Sequence, residues 1–380
     1  VYSLRTFILL FTITLIFAQD PEDLLSIGES QLSSGDYSEA ELSFNSALQA
    51  DPTFAPALQA LSKLHLHKGD LNKANEYSIQ AVQADEDFRE WANQIGKIIE
   101  HVQNGKRNVQ QRMYEEAMGE YDAISQAHPY FPDAEFYKGM TRFRQKDIEG
   151  AARHFSNAIN IYPDHAKAKK GLDNVTKQFL NAGNKAYKRG NLGKATGYYE
   201  KALKFDSSFY LAYYQLGVLE KKMGNSKKAI EYLHLVLSIK PDHDKTWLTL
   251  GTAYESDGNT DEAIAHYIKA IEINLSYSKA YGNLGKLYTD NYEYKLAEDI
   301  LKAVIQIDAG YADGFMRLGL LYIEQEKFEL AAENLVTATS LDEKDYFKFF
   351  NLAAAYNQLK QWDNATSASQ SCVDLNRKFG

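Results

Sequence analysis

Residues 244–277 read DKTWLTLGTAYESDGNTDEAIAHYIKAIEINLSY, and the fold follows from this stretch. Trp247, Leu250, Gly251 and Tyr254 recur at helical spacing, Gly258 interrupts them, and Ala263, Tyr267 and Ala270 resume the spacing after a polar turn. Two short amphipathic helices are therefore expected, with large residues of one facing Gly or Ala of the other, as close helix packing requires. The next 34 residues repeat the order with Tyr281, Leu284, Gly285, Tyr288, Ala297, Leu301 and Val304. The preceding 34 do so with Tyr213, Leu216, Gly217, Gly224, Ala229 and Pro241.

This 34-residue order resembles the tetratricopeptide repeat, and most of the chain can be laid on it. The resemblance implies an all-α fold: a right-handed α-solenoid, or superhelix, of antiparallel helix pairs. Ten repeats are expected in two modules. Residues 21–165 hold repeats one to four, and residues 166–380 hold repeats five to ten behind an extra helical segment at 166–175. The third repeat starts in register with Trp91, Ile95, Gly96 and Ile99, and recovers it at Ala117, Tyr121 and Ile124. About nine surplus residues lie between, near 101–112, as a lengthened helix or a protruding loop. From Thr176 the units start at 176, 210, 244, 278, 312 and 346 without interruption.

Residues 1–19 read differently. Arg5, an apolar run over 7–17 and Ala18 before polar sequence have the form of a secretory signal peptide, too short to span a bilayer as a helix. Export to the periplasm or outside the cell is expected, the alternative being a membrane tether through an uncleaved segment. The net charge of −9 on 380 residues argues against a general nucleic-acid binder, which needs a basic face. Cys372, the one cysteine, excludes an internal disulfide and is expected as a buried packing thiol.

No catalytic, metal or cofactor motif rises above background. His65 and His67 stand two apart and point to different sides of a helix. Gly190, Gly193, Lys194 and Gly197 lack the Ser or Thr of a phosphate loop, because Ala195 follows the lysine. The basic runs Lys106-Arg107 and Lys167, Lys169, Lys170 are expected as solvated faces.

In the family, positions 2, 5, 6, 9, 12 and 13 of each first helix face the inner groove. Position 6 of the last six units reads Asn181, Gln215, Thr249, Asn283, Arg317 and Asn351. This row resembles the asparagine ladder of O-linked N-acetylglucosamine transferases, most clearly around Asn283, with Thr249 and Arg317 departing from it. Side-chain amides so placed can donate to and accept from a peptide backbone. Position 5 reads Leu180, Tyr214, Leu248, Gly282, Met316 and Phe350, with Tyr214 and Phe350 as aromatic groove candidates. Lys286 joins them at position 9. A second family device, the carboxylate clamp, is met at Asn184, Gln215 and Lys245, but Leu180 and Thr249 replace two of its cations.

The resemblance therefore implies a non-catalytic scaffold or adaptor that holds an extended peptide or partner segment, with no cofactor, nucleic acid or evident small-molecule substrate. An envelope complex is the expected setting. Self-association through the tenth repeat is a further expectation, since NRKFG follows that repeat directly. The alternative is the repeat region of a longer enzyme such as a glycosyltransferase.

Overall fold

The computed structural model describes residues 20–379, so the expected signal peptide lies outside the described residues. Among the described residues there are 20 α-helices and one 3-10 turn, Glu86–Phe88, and no strand. Consecutive helices pair, and within each compact unit the pairs stack on one another. The first-helix and second-helix members of a repeat are called A and B.

The repeat at 244–277 shows why. Helix α13 (Asp244–Ser256) stops because Gly258 takes a left-handed φ of 82°. The turn lets the Asn259 amide donate back to the Tyr254 carbonyl at 2.9 Å, satisfying a helix-end acceptor. Helix α14 (Thr260–Ile273) then runs back along α13, and the Tyr267 ring lies where a side chain at Gly251 would stand. The same sixteen-residue pairing joins Gly139 to Phe155, Gly217 to Leu233 and Gly319 to Leu335. A small residue opposite a large one brings the helix axes close.

Stacking buries the remaining apolar stripe. One cluster runs through Leu301 of α16 (Tyr294–Ile307), Leu318 and Leu321 of α17 (Ala312–Glu324), Leu335 of α18 (Phe328–Leu341) and Leu352 of α19 (Tyr346–Gln358). Each fully buried leucine contributes about 1.5–3 kcal/mol of burial free energy, so the core is shared between neighbours rather than owned by one repeat.

The chain divides into two compact units. The first holds the residues up to Phe179 with Lys204–Asp206, and the second holds Leu180–Leu203 with Ser207 onward. In the first unit, helix α5 (Arg89–Gln110) has 22 residues, against 13 in α3 (Ala55–His67). The surplus is thus a lengthened helix, and it enters before the repeat's packing register rather than after Gly96. A side chain at Gly96 would meet nothing, whereas one at Gly105 would lie 2.5 Å from the Tyr121 ring of α6 (Tyr114–Ala127). Gly105, sixteen residues before Tyr121, is therefore the close-packing position of the third repeat. Asn104-Gly105, a residue pair common in turns, stands inside the helix. The extension is itself packed: Trp91 Nε1 donates to Ser62 Oγ at 2.8 Å, and Ile95 is buried. Helix α9 (Ala166–Lys188) is lengthened likewise, to 23 residues.

Cys372, on α20 (Trp362–Phe379), is half-buried rather than fully buried.

Candidate functional site

The second unit carries a cleft of about 590 Å³ on the A helices of repeats eight to ten. Helix α15 (Ser278–Asp290) supplies Lys286, Thr289 and Asp290, its positions 9, 12 and 13. Helix α17 supplies Met316, Arg317, Leu320 and Glu324, its positions 5, 6, 9 and 13. Tyr292 enters from the turn after α15, and Phe347 from position 2 of α19. Helical periodicity places these positions on one face of each A helix.

Met316, Leu320 and Phe347 form the apolar part. Phe347 stacks on Phe350 at 6.2 Å between centroids, and Phe350 is 57% exposed. The polar part is built on Lys286 and Arg317. Lys286 Nζ donates to Glu255 Oε1 at 3.1 Å and to Asp290 Oδ2 at 2.6 Å. Burial alone would lower this ammonium's pKa, but the two carboxylates more than offset it and hold it above its ordinary value. Glu255 in turn accepts from the buried Tyr267 hydroxyl at 2.7 Å, which ties the cleft wall to the core of repeat seven.

Arg317 is differently placed. Its Nη2 donates to Asn283 Oδ1 at 3.3 Å, and its buried Nε has no acceptor. No carboxylate lies within ion-pair distance of it among the described residues. A side chain at Gly282 would lie 2.8 Å from Tyr311 Oη and 3.4 Å from Arg317 Nε, so glycine keeps room for both. Nε is closed off from the surface, so it is the charge of this half-buried guanidinium, without a carboxylate partner, that suits an incoming carbonyl or carboxylate.

The structure thus places Lys286 and Arg317 in the lining of one cleft, with Asn283 beside Arg317 and Phe350 beside Phe347. It places the other groove candidates elsewhere. Asn351 is 6% exposed and its amide donates to its own helix, at the Phe347 carbonyl. Thr249 is 8% exposed, donates to the Lys245 carbonyl at 2.7 Å and lies 3.3 Å from the Tyr214 hydroxyl. Tyr214 is half-buried, its ring edge-on to His243. Asn184 accepts from Tyr199 of its own repeat at 2.9 Å. Asn181 and Lys245 are exposed, and Gln215 is half-buried. Sequence reasoning missed Thr289, Asp290, Leu320, Glu324 and Phe347, although positions 2, 9, 12 and 13 would have found them. Tyr292 carried no such signal, because its turn position is glycine in five other repeats but a residue with a side chain in the remaining four.

Among the described residues no group of His, Cys, Asp or Glu could hold a metal ion, and no helix is long and apolar enough to cross a membrane.

Comparison with known proteins agrees with this architecture. Tetratricopeptide-repeat models match residues 31–98, 133–165, 210–243, 244–277, 278–311 and 312–345. The chain is similar to a solved structure of MamA, at 25% identity and a TM-score of 0.38, over 43% of this chain and 95% of that one. It is similar to YrrB, described as a TPR protein with an unusual peptide-binding site, at 24% identity and a TM-score of 0.39, over 52% and 97%. PilF of Pseudomonas aeruginosa matches at 17% identity and a TM-score of 0.48, over 55% and 94%. No curated protein sequence matches the chain. With repeat models matched along its length and helix pairs stacked as they require, the chain belongs to the tetratricopeptide-repeat family.

Proposed function

We propose that the chain is a non-catalytic interaction scaffold that holds an extended segment of a partner protein in the cleft of repeats eight to ten. The observation that carries this reading is the cleft itself, where the part-exposed Arg317 guanidinium, with no carboxylate within ion-pair distance among the described residues, borders an apolar floor of Met316, Leu320 and Phe347. An incoming peptide supplies both missing parts: a backbone or side-chain oxygen for the guanidinium and an apolar side chain for the floor. Many such contacts along a preformed groove give moderate affinity without chemistry. Selection of peptides from a random library on the intact chain, followed by photocrosslinking from a benzophenone side chain at position 347, tests it. Crosslinks to selected peptides that vanish in Met316→Glu support the reading. Peptides that bind Met316→Glu and Arg317→Leu as well as the native chain refute it.

Export belongs to the same proposal, with the cell envelope as the setting. It is supported by Arg5, the apolar run over 7–17 and Ala18. The intact mass of the protein from its native host decides it: a mature chain starting at Gln19 supports export, and a retained leader refutes cleavage.

A further inference from the structure

The chain is acidic overall, yet cations gather at one place in the first unit. Helix α5, Tyr121 of α6 and helix α7 (Pro132–Arg144) enclose a cleft of about 240 Å³. Its floor is apolar and aromatic, made by Val109, Phe136, Tyr137 and Met140. Lys106 Nζ lies 4.8 Å from the Tyr137 ring centroid, a cation–π distance. The cleft opens through Val109, Gln110 and Arg144 into a wider mouth that also holds Arg112 and Lys146.

Counted from the register that Gly105 sets, these are the same positions that build the cleft of repeats eight to ten. Lys106, Val109 and Gln110 stand at 9, 12 and 13, where that cleft has Lys286, Thr289 and Asp290. Phe136, Tyr137, Met140 and Arg144 stand at 5, 6, 9 and 13, where it has Met316, Arg317, Leu320 and Glu324. The rims are opposite in charge: Asp290 and Glu324 in one, Arg144 with Arg112 and Lys146 in the other. The carboxylate at the basic mouth is Glu115, and it faces Arg142 at 3.6 Å and Gln145 at 3.2 Å. Among the described residues, Lys106, Arg112, Arg144 and Lys146 have no carboxylate within ion-pair distance.

Two of these cations occupy costly backbone. Arg112 and Lys146 have φ of 63° and 65°, at the turn position held in five repeats by glycines with φ of 75° to 83°. The left-handed conformation disfavours a residue with a Cβ, but Tyr292, Glu326 and Lys360 adopt it at the same turn of three other repeats, so it is the charge of Arg112 and Lys146, not their backbone, that bears on the cleft.

We propose that the first unit carries a second segment-binding site, in which the α5–α7 cleft takes an acidic partner segment through one bulky apolar side chain, its flanking carboxylates meeting Arg112, Arg144 and Lys146. The inner cleft is below the roughly 300–1,000 Å³ of a drug-sized pocket and suits a single side chain. Charge complementarity selects the segment against neutral or basic ones.

The test uses the full chain and fluorescein-labelled twelve-residue peptides, read by anisotropy. The probe is an Asp/Glu-rich peptide with one central Phe; three controls replace that Phe with Ser, the acids with Gln, or the acids with Lys. The Phe-acidic peptide is expected to bind best, and each control about tenfold or more weaker. Arg112→Gly with Lys146→Gly is expected to weaken the acidic peptide about tenfold, while the melting temperature stays level or rises because the strained turns are relieved. Phe347→Ser in the other cleft is expected to leave this binding unchanged. The proposal is overturned if the acidic peptide fails to bind, if the Lys peptide binds as well, if the double glycine variant binds normally, or if Phe347→Ser abolishes binding.

Discussion

Two alanine substitutions nine residues apart on one helix test how the third repeat is registered. Gly96 and Gly105 both lie inside α5, so replacing either by Ala recovers about 0.8–1 kcal/mol of helix propensity. A Cβ at Gly96 has open space around it. At Gly105 it would lie 2.5 Å from both Cε1 and Cζ of Tyr121. Ordinary carbon contacts begin near 3.5 Å, so the ring must move by about an ångström. Tyr121 is 1% exposed and stacked on Tyr137 at 5.3 Å, which leaves it little room to move. Overpacking of this kind costs about 1–3 kcal/mol. Gly96→Ala is therefore expected to stabilise by about 1 kcal/mol, and Gly105→Ala to destabilise by about 0–2 kcal/mol after the propensity gain. Propensity cancels in the comparison, so the difference of about 1–3 kcal/mol isolates packing against Tyr121. Urea unfolding followed by far-UV circular dichroism, with a probe in the first unit, measures both. Equal effects, or a larger loss at Gly96, would mean that the surplus residues enter after Gly96 and that the packing register is wrong.

Lys348 is 1% exposed and reaches Asp345 at 2.6 Å, Asp313 at 2.9 Å and Asp342 at 3.1 Å. Lys348→Met is expected to cost about 2–4 kcal/mol at pH 7, somewhat below a fully buried pair because the carboxylates are part-exposed. The Lys348 hydrogen bond holds Asp342 below its ordinary pKa, so this contribution is present above the ordinary carboxylate value and lost as pH falls from there through the lowered folded one. The gap between the denaturation curves of the native chain and the Lys348→Met variant should accordingly shrink in acid; a constant gap refutes the assignment. In the first unit, burial alone would raise Glu135, but hydrogen bonds from His154, Lys138 and Asn157 hold it down to about 2. Its stabilising contribution should fade between pH about 4.5 and 2, and Glu135→Gln should remove that part of the acid sensitivity. Asn351→Ala removes a buried amide bonded to the Phe347 carbonyl and is expected to cost about 0.5–1.5 kcal/mol, whereas Asn283→Ala should change stability by less than about 0.5 kcal/mol. Equal losses at the two asparagines would show that burial does not separate them.

The sequence by itself determined the fold family and the repeat frame. Gly251 and Tyr267 stand sixteen residues apart because a tight turn brings those two helical positions together, and this local rule needs no knowledge of distant contacts. The same rule fixes the units starting at 210, 244, 278 and 312, which the repeat models also match. It failed at Gly96, because a glycine on an amphipathic helix looks alike whether its partner is Tyr121 or solvent. Only packing distinguishes it from Gly105.

The candidate site was partly legible. Position numbers placed Arg317, Lys286 and Phe350 on the A-helix face, but could not separate Asn351 and Thr249, whose side chains turn back on their own helices, from Asn283. Lys106-Arg107 read as a solvated run and both are exposed, but that Lys106 also lines a cleft was not legible, because its facing residues lie on α7, some thirty residues on. Helix periodicity is set along the chain and is therefore written in it. Burial, ion pairing and cleft lining arise between helices from different repeats, so tertiary structure alone decided them.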